Sequence, residues 1–159
     1  MKKDTRAYSV DVHTNKATMA LTHFSPEEFF VFWPELERML DGVPHTWRQW
    51  TKESIQNAVS CGTIQVWGAG PPPLAVCIFF TQINVYPSFK SLHIVWSAGH
   101  FDDGMVPLLD AAWMQYAKLN DCEEIEISGR SGWGTKLVPI GFKKAYTTWR
   151  RRVPAMRMN

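Results

Sequence analysis

Six consecutive residues, Gly99-His100-Phe101-Asp102-Asp103-Gly104, form the segment of this chain where chemistry is most readily pictured. They join an alternating stretch, Ser91 to Ala98, to one with helical spacing. A turn from strand to helix gathers backbone N–H groups at a positive helix end, and that arrangement suits an anion. Asp102 and Asp103 give this turn the wrong sign for a phosphate. At about 5 Å and an effective dielectric near 20, each carboxylate would cost about 3 kcal/mol against a phosphate charge. Elsewhere the histidines at 13, 23, 45, 93 and 100 show no metal-ligand spacing, so no metal is expected. No Ser-His-Asp arrangement can be inferred. Cys61, Cys77 and Cys122 include no C-x-x-C pair and are expected to stay reduced as small core residues.

The elements that must position these residues follow from local patterns. Tyr8 to Leu21, rich in Val and Thr, predicts an initial edge strand. Ser25-Pro26-Glu27-Glu28 starts a helix: serine caps it, proline takes its first position, and acids meet its positive end. Its apolar stripe runs from Phe29 to Leu40, and Pro34 is expected to kink it or restart it. Thr51-Lys52-Glu53-Ser54 opens a second helix that Cys61-Gly62 closes. Thr63–Trp67, Leu74–Tyr86 and Ser91–Ala98 then read as an antiparallel meander. A central helix spans Gly104 to Asn120, with Asp102 or Asp103 as its cap. Met105, Leu108, Leu109, Ala112, Trp113, Tyr116 and Leu119 give it one buried face. Ile125–Ser128 predicts a strand beside Ser91–Ala98, followed by a short helix from Gly132 to Ile140 and a last strand from Lys143 to Val153. A strand-helix-strand unit of this kind commits the chain to an α/β (α+β) fold with parallel strands at its centre.

Composition narrows the class. A chain of 159 residues with 45% apolar content, eight Trp and nine Phe fits one packed domain covering residues 1–159, and not a disordered segment. No apolar run approaches the roughly 20 residues of a membrane span. Met1 to Arg6 is charged with no apolar segment behind it, so no secretory signal is expected. Net charge is +2, unevenly spread: from residue 130 onward there are eight Lys or Arg and no Asp or Glu. That asymmetry predicts a basic face near the C-terminus. Trp47-Arg48-Gln49-Trp50 and Trp149-Arg150-Arg151-Arg152 combine the side chains that most often anchor interfaces.

In Ile127-Ser128-Gly129-Arg130, Leu137 and Ile140-Gly141-Phe142-Lys143, together with the element order, the chain resembles the GNAT superfamily of N-acyltransferases. Its Gly-Arg-x-Gly-Trp segment with a later Gly-Phe is similar to small GNAT-like proteins of tailed bacteriophages. The resemblance implies a splay between two central parallel strands that admits acyl-coenzyme A. It also implies a pyrophosphate turn of the pattern Gln/Arg-x-x-Gly-x-Gly/Ala. The counterpart here is Ser97 to Gly104, where Gly99 and Gly104 remain but the Arg or Gln and the close glycine pair do not. On this resemblance Ser97, Gly99, Gly104 and Arg130 are the cofactor-binding candidates, and Glu126, His100 and Tyr146 are the catalytic ones. Glu124 and Glu126 alternate with Ile125 and Ile127, which lets them face the cleft.

The leading expectation is a GNAT-fold structural or assembly component of a phage with a degenerate acyl-CoA site, present in the host cytoplasm and the virion. Trp47, Trp50, Trp149, Arg150, Arg151 and Arg152 would contact other virion or assembly proteins, or a second copy of the chain. The alternative is an active N-acetyltransferase that takes acetyl-CoA. A weaker third reading is a nucleic-acid contact through the terminal arginines.

Overall fold

A computed structural model describes residues 21–43, 46–70, 77–101, 103–129, 131–146, 150, 151 and 153. Five strands, β1 (Leu21–Phe24), β2 (Ile64–Ala69), β3 (Cys77–Val85), β4 (Lys90–Gly99) and β5 (Glu124–Ile127), form one sheet in that order. The first four pair antiparallel in sequence, and β4 pairs parallel with β5. Helices α1 (Pro26–Asp41), α2 (Thr46–Gln49) and α3 (Lys52–Ser60) lie between β1 and β2 in the chain. Helix α4 (Val106–Leu119) is the crossover from β4 to β5, and α5 (Gly134–Leu137) follows β5. The expected mixed sheet, with an antiparallel meander and a parallel strand-helix-strand core, is the observed architecture.

Local sequence sets the helix starts. Ser25 Oγ accepts from the Glu28 N–H at 3.1 Å while Glu28 Oε2 accepts from the Ser25 N–H at 2.7 Å, so two otherwise orphaned donors are satisfied. Thr51 and Ser54 make the same reciprocal pair for α3. Helix α1 runs through Pro34 for its full 16 residues without being restarted. Gly62, at φ +75, takes the left-handed conformation that turns the chain from α3 into β2.

The sheet carries a core on each face. On one, Trp67, Phe79, Leu92 and Ile94 pack with Met105, Leu109, Ala112 and Trp113 of α4 and the turn before it. On the other, Val66, Ile78, Phe80 and Ala98 pack with Phe29, Leu36 and Leu40 of α1 and Ile55 and Val59 of α3. Between the layers, Trp67 Nε1 donates to Thr81 Oγ1 at 2.9 Å, and that hydroxyl donates to Gln65 Oε1 at 3.2 Å.

The start of the central helix, its buried face at Leu119 and the final strand are corrected. The first turn of the central helix is a 3₁₀ turn, Asp103–Met105; α4 starts at Val106, and Met105 at its cap makes no side-chain bond. Asp103 is drawn off to pair with Lys136, and Asp102 lies outside the described residues. Leu119 is 58% exposed while Ala117 in the same turn is buried, so the buried face of α4 does not extend to Leu119. Residues 143–146, 150, 151 and 153 have no strand conformation, so the predicted final strand is absent among the described residues. Of the predicted first strand, residues 8–20 lie outside the described residues, and the pairing starts at Leu21. Among the described residues no helix is long and apolar enough to cross a membrane.

Thr81 is fully buried, so Thr81→Val keeps its shape and strands the Trp67 indole N–H. The expected cost is about 1–3 kcal/mol in a urea unfolding curve, and an unchanged midpoint would show that the bond contributes nothing.

Candidate functional site

The site is built by a mismatch of strand lengths. β4 and β5 pair only over Ser91–Ile94 and Glu124–Ile127, while β4 continues to Gly99. Past Ile94 the register against β3 slips: Phe80 faces Trp96 and Thr81 faces Ile94, which leaves Val95 as the extra residue of a β-bulge. The slip puts Ile94 in the core beneath α4 and Trp96 against the core beneath α1 and α3. A cleft opens beyond this point, about 260 Å³ counting the part open to solvent. Its walls are Ile94, Trp96 and Ser97 of β4, Trp113 of α4, and Ile127, Ser128 and Trp133 at and after β5.

A polar cluster borders the cleft. Ile125 and Ile127 pack toward α4, so alternation turns Glu126 to the opposite face, and His93 beside it does the same. His93 Nε2 lies 2.9 Å from Ser128 Oγ, and His93 Nδ1 lies 3.4 Å from Asn84 Nδ2. The Asn84 amide also donates to Glu126 at 3.5 Å, and the Tyr86 hydroxyl donates to both Glu126 oxygens at 3.1 and 3.3 Å. With the Asn84 amide nitrogen placed against Nδ1, the tautomer assigned is the one in which Nδ1 accepts and Nε2–H donates to Ser128. The Ser128 proton is then free to serve the cleft that its side chain lines. Burial pushes the His93 pKa down, against a smaller upward pull from Glu126, so the ring is neutral near pH 7. The bond to Glu126 is the main cause raising the Tyr86 pKa, followed by burial, with Tyr146 near enough to add to the rise.

One wall of the cleft, Trp133, is backed by an aromatic and charged group. The Phe101 and Trp133 rings sit 4.9 Å apart, and Lys136 Nζ lies 5.2 Å over the Phe101 ring while pairing with Asp103. Gly129 makes the Trp133 position possible, since a Cβ there would meet Trp133 Cδ1 at 2.8 Å. The Asp103 charge, expected to repel a diphosphate, is therefore offset by a lysine 33 residues away.

Of the catalytic candidates, Glu126 is in the polar cluster and Tyr146 is close to it. His100 is exposed in the connection leaving β4 and makes none of the cluster's contacts. Of the cofactor-binding candidates, Ser97 lines the cleft, Gly99 takes φ +99 where β4 ends, and Gly104 lies in the 3₁₀ turn. Arg130 lies outside the described residues. Among the partner-binding candidates, Trp50 is half-buried with its ring edge-on to Trp96 at 4.7 Å. Arg150 and Arg151 are exposed. With its carboxamide oxygen turned that way, Gln49 accepts from both terminal Arg150 nitrogens at 2.8 Å, which ties the basic segment to α2. Trp149, Arg152 and the Trp47 side chain lie outside the described residues. Sequence reasoning missed His93, Ser128, Asn84 and Tyr86 as site residues. The signal that could have found His93 is alternation on β4 matched to that of Glu126 on β5.

His23, near the Trp67 ring at 4.6 Å, also has its pKa lowered by burial, against a smaller upward pull from Glu28. With His93 it sets a pH dependence. The unfolded chain titrates these rings near ~6.5 and the folded chain below that, so the unfolded state holds more protons in between. Their contribution to stability is complete above pH ~6.5 and is lost as the pH falls through the folded values. The thermal midpoint should drop between pH 7.5 and 5.5, and His93→Gln should shrink the drop; equal midpoints at the two pH values would contradict the assignment.

No family model matches the chain, and no curated protein sequence matches it. Solved structures do. The chain is similar to a ribosomal-protein-alanine N-acetyltransferase from Brucella melitensis biovar Abortus, with TM-score 0.64 and 12% identity over 86% of this chain and 100% of that one. It is similar to a predicted acetyltransferase from Clostridium acetobutylicum solved with acetyl-CoA, with TM-score 0.64 and 9% identity over 85% and 96%. An aminoglycoside N-acetyltransferase in complex with CoA matches with TM-score 0.61 and 11% identity over 91% and 100%. The fold of this chain is that of the GNAT acetyltransferases.

Proposed function

We propose that the chain is an N-acyltransferase that moves an acyl group from an acyl-CoA thioester to an amine. The observation that carries this reading is the cluster at the β4–β5 divergence, where Ser128 lines the cleft and joins His93 beside Glu126. In the reaction the amine nitrogen attacks the thioester carbon, and its proton passes to the Glu126 carboxylate directly or through one water. The C–S bond then breaks with its electron pair leaving on sulfur. The Ser128 O–H, accepting from His93 Nε2, donates a hydrogen bond to that sulfur. Val95, the unpaired residue of the bulge, leaves a backbone group beside the reacting carbonyl. The acetyltransferases that this fold matches, two of them solved with acetyl-CoA or CoA, support the same ligand class.

One observation favours the second reading, a structural or assembly component with a disused cleft. Phe101, Lys136 and Asp103 pack together beside Trp133, a wall of the cleft, and would obstruct an acyl-CoA entering on that side. In that reading Trp50 and the arginines at 150–152 serve partner proteins, as phage virion or assembly contacts; the comparisons hold no link to tailed-phage proteins. Calorimetric titration with acetyl-CoA separates the two, since micromolar binding supports the enzyme and silence at millimolar ligand removes it. Glu126→Gln should bind acetyl-CoA as the wild type does while amine-dependent thiol release falls by about 10²-fold or more. A variant that keeps its rate would dismiss Glu126 as the base.

A further inference from the structure

Trp113 is 2% exposed, and its indole Nε1 is buried with no hydrogen-bond partner among the described residues. The same side chain lines the cleft between β4 and β5. A buried donor left unpaired is unfavourable, and a phenylalanine could fill much of this volume without that cost. An indole N–H can only donate, so whatever satisfies it must present an acceptor atom. Ile94, Ile127 and Trp133 make the wall mostly apolar, with Ser97 and Ser128 its polar members, so an anion there would lose more hydration than two hydroxyls return. A neutral carbonyl oxygen meets both conditions.

We propose that Trp113 Nε1 is a binding donor for a carbonyl oxygen of the acyl-CoA arm, the thioester carbonyl or an amide carbonyl behind it. The assignment rests on the acyltransferase reading and adds to it a side chain on α4, beneath the sheet, that reads the ligand. In this proposal helix α4 has two duties, filling the core with Leu109 and Ala112 and lending the cleft wall a side chain with one donor. The edge-on Phe79 ring, 5.3 Å from Trp113 at an interplanar angle of 77°, packs against the indole and holds its orientation.

The test is calorimetric titration of the full chain and of Trp113→Phe with acetyl-CoA and with CoA, beside thermal melting of both proteins. The expected loss of affinity is about fivefold, the worth of one net hydrogen bond. The Trp113→Phe melting point should not fall in proportion, since an orphaned donor has been removed. A loss confined to acetyl-CoA assigns the thioester carbonyl, and a loss with both ligands assigns an amide carbonyl. Equal affinities of the two proteins overturn the assignment and leave the acyltransferase reading standing. A wild type silent at millimolar acetyl-CoA removes that reading and this one with it. Should Trp113→Phe fold poorly, indole N–H resonances of wild type labelled with nitrogen-15 decide the matter. One of them should move downfield as acetyl-CoA is added, and an unmoved set overturns the proposal.

Discussion

The whole site depends on β4 outrunning β5. Parallel strands hold together through evenly spaced hydrogen bonds, and here that ladder stops after four residue pairs. Beyond Ile94 and Ile127 the two strands have no reason to stay at pairing distance, and the bulge at Val95 bends β4 away. A gap in the middle of a sheet exposes backbone and core to whatever can enter. The chain walls the gap with Ile94, Trp96, Trp113, Ile127 and Trp133, and Phe101 packs against Trp133. What remains is mostly apolar, with Ser97 and Ser128 as its polar side chains.

Charge at the open end is governed by one long-range pair. Asp103 is highly exposed, and an ion pair at such a place adds little to stability. Its effect is on the local field. A carboxylate facing the turn is matched by an ammonium from α5, which leaves the turn closer to neutral than its sequence suggests. Because Lys136 also lies over Phe101, displacing the lysine would loosen the aromatic bridge as well. The pair and the bridge form one mechanical unit, and an anionic ligand arriving at the turn would compete with Asp103 for the same ammonium.

Which features were legible in the sequence follows from how local their causes are. The starts of α1 and α3 were readable because both caps are completed within three residues. The mixed sheet was readable because strand alternation and helical spacing change abruptly along the chain. That Glu126 points away from Ile125 and Ile127 was readable from alternation alone. His93 was not, because its role comes from pairing with Glu126 across 33 residues and from Ser128 two residues past that pairing. The start of α4 was misread since Asp103 is a sound cap in isolation and is claimed by Lys136 only in the folded chain. Lys143–Val153 mixes β-formers with arginines, a pattern that suits a strand whether or not a neighbour exists to pair with it.

Aromatic content bears on the chemistry more than on the core. Trp96, Trp113 and Trp133 all line the cleft, so three of the chain's eight tryptophans surround the place where strands part. Bulky rings exclude water, and excluding water strengthens each polar contact left inside. The 2.9 Å contact between His93 and Ser128 lies at the border of that dry region, with Asn84 fixing the imidazole from behind. His93 lies on the face turned away from α4, and its own burial there, more than the tryptophan walls, lowers its pKa. The neutral ring meets Ser128 at the edge of the cleft, so proton placement at that edge depends on what covers the far face of the sheet.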